Sequence, residues 1–113
     1  MKEIKAIIQP FLADHVISVL REIPEAPGIT VSEVTGFGGG EKSGTRLETE
    51  QDAVLGRKKI KLEMVVPDAL VDKVVEVISK HAHTGNPGDG KIFVYRVDEV
   101  VRIRTGERVN EAT

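Results

Sequence analysis

The stretch Lys58–Ser79, KKIKLEMVVPDALVDKVVEVIS, changes its hydrophobic period at Pro67, and that change decides the fold. Before the proline, Ile60, Leu62, Met64 and Val66 alternate with Lys59, Lys61, Glu63 and Val65, the period of two expected of a strand. After it, Leu70, Val74, Val77 and Ile78 recur at helical spacing. Pro67 suits a helix start, and Asp68 and Asp72 early with Lys80 and His81 late match the helix dipole. Gly85 is expected to end this helix. The β-branched and aromatic run Lys91–Val97, KIFVYRV, then reads as a strand.

The same plan occurs once before. In Lys2–Gln9, KEIKAIIQ, Ile4, Ala6 and Ile8 share one face while Lys5, Ile7 and Gln9 share the other, and Pro10 closes the strand. FLADHVISVLREI, from Phe11, carries a stripe of Val16, Leu20 and Ile23 widened by Leu12, Ile17 and Val19. Pro24, Pro27 and Gly28 stop it, and ITVSEVTGF, from Ile29, is a second strand. A short strand-like run, VVRIR, follows from Val100. The order β-α-β, long connection, β-α-β implies an α+β, ferredoxin-like domain spanning residues 1–113, with one antiparallel sheet and two helices on one face. Ile7 and Val65 fall opposite the helix-facing sets, so the open sheet face is partly apolar, which suggests an oligomer. The connection from about residue 38 to 56 lacks periodicity and is rich in glycine and charge. A loop of this length is generally functional, and the alternative is a tolerated surface insertion.

A chain of 113 residues suits one domain with a modest core. Its net charge of −2 provides no global attraction for nucleic acid or an anionic membrane, so a polyanion must meet a local basic cluster. Without cysteine there are no disulfides, thiolate metal sites or cysteine nucleophiles. No apolar run approaches the roughly 20 residues of a membrane span, and the N-terminus lacks a signal-peptide pattern, so the expected location is the cytoplasm.

The segment Gly85–Lys91 matches G-x-x-x-x-G-K literally, but Ile92 stands where a Walker motif needs Ser or Thr, and a strand follows instead of a helix. The glycines still let the backbone approach a ligand and present N–H groups as an anion nest. Lys91 adds a point charge, and Arg102 and Arg104, two apart, point the same way if extended. Such charge-assisted bonds are worth roughly 1.5–3 kcal/mol each. The competing reading is a tight turn at Gly88-Asp89-Gly90 with arginines in surface ion pairs, and the residues alone leave both open. His81 and His83 form an H-x-H at a helix end, where helix capping competes with metal binding. No serine sits in a nucleophile elbow, and no carboxylate pair lies in an apolar setting, so nothing demands an enzyme. An RNA-recognition domain shares this element order, yet its central strands need aromatics that KEIKAIIQ and KKIKLEMVV lack.

The segments AIIQPF, TVSEVTGFG, KIKLEMVVPDALVDKVV, TGNPGDGKIFV and VRIRTGE closely resemble the PII signal-transduction family, over about residues 1–38 and 57–108. The resemblance implies a homotrimer that binds ATP or ADP between subunits and regulates a transporter or metabolic enzyme through a mobile T-loop, here residues 38–56. By position, Gly88, Asp89, Gly90 and Lys91 would line the phosphates, with Arg102 and Arg104 reaching them, and Thr84 would also belong to the nucleotide site. Ile7, Thr30, Gly36, Gly38, Glu63 and Val65 would form the adenine and ribose side. Lys59 matches the lysine that pairs with the 2-oxoglutarate carboxylate. Gly39 and Gly40 replace the family's arginine and glutamine, and that glutamine helps hold magnesium and 2-oxoglutarate. The loop has no tyrosine for uridylylation, and RLETEQDAV replaces its usual tip. An altered second ligand (bicarbonate, another small anion, or a metal at His81 or His83) is the alternative, and slow ATP hydrolysis a third reading.

Overall fold

The computed structural model describes residues 1–38 and 55–109. Strand β1 (Lys2–Ile8) leads into helix α1 (Pro10–Arg21) and strand β2 (Thr30–Gly36). Strand β3 (Arg57–Val66), a 3-10 turn at Asp68–Leu70, helix α2 (Val71–His81) and strand β4 (Lys91–Arg96) repeat the plan. A two-residue pair, β5 (Val100–Val101) and β6 (Arg108–Val109), follows. The main sheet has the order β2-β3-β1-β4, and every neighbouring pair is antiparallel. Each helix crosses between strands separated by one from the other half, the split βαβ plan expected from the sequence.

Alternation positions the core. Ile4, Ala6 and Ile8 of β1 and Leu62, Met64 and Val66 of β3 are buried on the helix side of the sheet. Ala13, Val16 and Leu20 of α1 and Val74, Val77 and Ile78 of α2 close over them. Ala13 joins that stripe although its small side chain gave no signal, whereas Ile23 and Leu70 lie at the rim, half-buried. Pro10 does more than end the strand: it opens α1, where its missing N–H would have had no intrahelical partner.

Three local expectations are corrected. Asp68 lies in the 3-10 turn before α2 and accepts a hydrogen bond from the Met1 amine at 2.8 Å, an ion pair that lowers its pKa; only Asp72 is in the helix's first turn. Helix α2 ends at His81, with the Ala82 N–H donating to the Ile78 carbonyl at 2.9 Å, so Gly85 lies in the loop beyond. The run VVRIR is a strand only at Val100–Val101. The Arg102 carbonyl accepts from the Gly106 N–H at 2.7 Å, closing a turn that removes the common direction expected of Arg102 and Arg104.

On the open face, strand pairing brings Phe93 and Tyr95 of β4 beside Lys5, whose ammonium sits 5.4 Å and 5.0 Å from the two ring centroids. These aromatics extend the apolar surface inferred from Ile7 and Val65. They lie on an edge strand, while β3 and β1, the central pair, carry none.

Candidate functional site

The loop from Thr84 to Gly90 is held by one carboxylate. Asp89 Oδ2 accepts the N–H groups of Thr84 at 2.8 Å and Gly85 at 2.9 Å, and Asp89 Oδ1 accepts the Thr84 hydroxyl. The Asn86 N–H donates to Thr84 Oγ1 at 3.1 Å, and His83 Nδ1 lies 3.6 Å from Asp89 Oδ2. Partial burial opposes ionisation of Asp89 as the largest single influence. The Thr84 hydroxyl, the two backbone N–H groups and His83 together outweigh it and hold the carboxyl below its ordinary value. Asp89 therefore acts on its own loop, and the N–H groups of Thr84, Gly85 and Asn86 are committed internally. The anion nest inferred from the sequence narrows to the stretch Gly88–Gly90.

That stretch lies against the end of β1. Gly90 has φ +99°, and a Cβ built there would sit 1.7 Å from the Ile7 carbonyl oxygen, so this position admits only glycine without backbone movement. On the other side, Lys59 Nζ donates to the Gly88 carbonyl at 2.6 Å. Lys59 is 9% exposed, the one buried charged residue among those described. A cation on β3 and a carbonyl of β1 thus fix the loop from two strands.

A cleft of about 500 Å³ opens beside it, a volume that suits a small-molecule ligand. Ile7, Gly36, Gly38, Gly88, Asp89, Gly90 and Lys91 line it, as does Lys59. Arg57, Phe37, Asn86, Pro87 and Phe93 also line it and were not anticipated. Arg57 had a signal of its own, a cation two residues before Lys59 and so on the same strand face. The other anticipated residues are elsewhere. Thr30, Glu63 and Val65 line a second cleft of about 330 Å³ with Glu3, Pro27, Gly28, Met64 and Val100. Thr30 pairs with Glu63 at one end of the β2–β3 ladder and Gly36 with Arg57 at the other. Six residue steps along the strand separate them, about 20 Å. Arg102 and Arg104 line neither cleft; Arg102 Nε is 4.0 Å from Glu107 Oε2, and both arginines are exposed. Thr84 lines neither cleft and is bonded to Asp89. Within one chain the anticipated residues are therefore divided between two clefts, with Arg102 and Arg104 in neither.

The histidines separate too. His81 meets His15 of α1, and His83 faces Asp89, so the H-x-H does not act as a pair. Among the described residues no three His, Asp or Glu side chains gather as a metal site, and no helix is long and apolar enough to cross a membrane. Gly40 and most of the loop assigned to target binding lie outside the described residues.

A family model described as Nitrogen regulatory protein P-II matches residues 1–107. The chain is 49% identical over 113 residues to the nitrogen regulatory protein P-II of Rhodospirillum rubrum and to that of Azospirillum brasilense, covering 99% of each chain. It is 47% identical, with the same coverage, to nitrogen regulatory protein P-II 1 of Escherichia coli.

Proposed function

The chain belongs to the nitrogen regulatory protein P-II family, and on that premise we propose that it is a non-enzymatic signalling protein that binds ATP or ADP between the subunits of a homotrimer. In this reading the glycine loop and Lys91 of one subunit face Thr30, Glu63, Val65, Arg102 and Arg104 of the next. The observation that supports it is the separation of the two half-sites: a second copy is needed to bring them together. The partly apolar open sheet face, with Phe93 and Tyr95 at its edge, provides surface for that association. Gly88, Gly90 and Lys91 take the phosphates, helped by the two arginines, while Ile7 and Val65 offer apolar walls to the base.

The bound nucleotide shifts the population of residues 38–56 toward one conformation, which presses on a transporter or enzyme of nitrogen or carbon metabolism. Lys59 lines the phosphate cleft and touches the loop, so a carboxylate such as 2-oxoglutarate would compete with the Gly88 carbonyl for its ammonium. Gly40 in place of the family's glutamine makes 2-oxoglutarate and magnesium the least supported ligands, and bicarbonate or another small anion at Lys59 is the second reading. Calorimetry tests the proposal. ADP and ATP bind the wild-type trimer, and Lys91→Ala and Arg102→Ala each weaken binding. Unchanged affinity in both variants removes the assignment. Titration of 2-oxoglutarate and bicarbonate, with and without MgATP, separates the two readings of the second ligand.

A further inference from the structure

His15 and His81 are 66 positions apart in the chain, yet His15 Nε2 and His81 Nδ1 lie 2.9 Å from each other. Their rings meet edge to face, with centroids 4.8 Å apart and an interplanar angle of 67°. One residue sits in the middle of α1 and the other is the last residue of α2, so two imidazole nitrogens on separate helices converge on one point at the surface. We propose that this pair is a binding site for a borderline transition-metal ion such as Zn²⁺, Cu²⁺ or Ni²⁺, distinct from the nucleotide clefts.

The geometry carries the inference. Imidazole nitrogens bind zinc at about 2.0–2.1 Å, and a tetrahedral angle then puts two of them about 3.3 Å apart. Opening the 2.9 Å hydrogen bond by a few tenths of an ångström reaches that separation. The ring that now donates moves its proton to its other nitrogen, leaving both facing lone pairs for the metal with no net change in charge on the protein. One helical turn from His15 the neighbours are Phe11, Leu12, Ser18 and Val19; one turn before His81 they are Val77 and Ile78. Of these only Ser18 carries a side-chain oxygen, a neutral hydroxyl that binds such ions weakly, and among the described residues no third His, Asp or Glu joins the pair, so water would complete the coordination. Two neutral nitrogens favour Cu²⁺, Ni²⁺ and Zn²⁺ over hard oxygen-seeking Mg²⁺. The ion would fasten α1 to the end of α2, from which the loop anchored by Asp89 departs, and it would bind only the folded chain.

The experiment uses the full chain, untagged and freed of metal with chelator. Calorimetry and thermal melts are run with ZnCl₂, CuCl₂ and MgCl₂ on the wild type and on His15→Gln, His81→Gln and His83→Gln. Gln can keep a hydrogen bond across the helices but is a poor ligand, so it separates a structural role from coordination. The expected result is one Zn²⁺ or Cu²⁺ per chain with a raised melting temperature and no effect of Mg²⁺. Affinity falls about tenfold or more in His15→Gln and in His81→Gln and stays unchanged in His83→Gln. No binding of either metal at millimolar concentration, or binding that survives in His15→Gln and His81→Gln, overturns the proposal. Loss in His83→Gln alone moves the site to the loop and overturns it equally.

Discussion

Gly90→Ala probes the loop at its tightest point. The new methyl carbon would lie 1.7 Å from the Ile7 carbonyl oxygen and 2.8 Å from its carbon, both backbone atoms in the central sheet. Real Cβ contacts stay beyond 3.0 Å, so the loop must retreat by 1.3 Å, because β1 is held on both sides by β3 and β4. The φ of +99° adds a conformational cost of about 1–3 kcal/mol for an L residue. A shift of that size also draws the Gly88 carbonyl away from Lys59. If the retreat removes one charge-assisted contact to phosphate, about 1.5–3 kcal/mol is lost, or roughly 10- to 150-fold in nucleotide affinity. Urea unfolding and ADP calorimetry read the two effects. Gly28→Ala is the stability control, since a Cβ there meets nothing within 4 Å. A Gly90→Ala protein with wild-type stability and wild-type ADP affinity would refute the reasoning that the close approach to Ile7 sets the loop's position.

Leu20→Ala removes a fully buried side chain from α1 and lowers stability by about 2–5 kcal/mol in denaturant unfolding. Thr84→Ala deletes the hydroxyl donor to Asp89, and carboxyl NMR shows the Asp89 pKa rising toward its ordinary value. Because that pKa is depressed in the folded protein, the loop's anchoring is fully present above the unfolded value of about 3.9 and is lost as pH falls through the lower folded value; amide exchange at Thr84 and Gly85 follows it. Tyr95→Glu places a carboxylate on the open sheet face beside the ring carbons of Phe93, and light scattering reports a mass below three times the 12.3 kDa of the chain.

Period changes made the secondary structure legible. The alternation in KKIKLEMVV and the stripe through Val74, Val77 and Ile78 correspond to β3 and α2; both sets are buried on the helix side except Ile60, which is half-buried. Legibility stopped where the information is three-dimensional. That Thr30 and Gly36 lie about 20 Å apart follows from their spacing along β2, but that Thr30 joins Glu63 and Gly36 joins Arg57 comes from the ladder, and no local pattern specifies which strands pair. Asp89 lines the first cleft, yet the motif says nothing of where its carboxylate turns. The five-residue spacing back to Thr84 was the available sign of a self-closing loop. Arg102 and Arg104 read as extended because Val100 and Val101 are β-branched, while Gly106 beyond them turns the chain. The His15–His81 meeting depends on how α1 and α2 pack across the sheet, which the spacing of neither residue reveals.

The central claim is that each nucleotide cleft is built from two subunits, and mixing tests it most directly. Lys91→Ala chains lack a cation of the glycine loop, and Arg102→Ala chains lack one from the opposite half. Each pure variant should bind ADP weakly. Unfolded together in equal amounts and refolded, they form mixed trimers in which about one cleft in four joins two unaltered halves. Calorimetry of that mixture should recover wild-type affinity at a reduced stoichiometry of about a quarter. If mixed trimers form, as native mass spectrometry can verify, and tight binding does not return, the two halves do not meet across a subunit boundary and the account is contradicted.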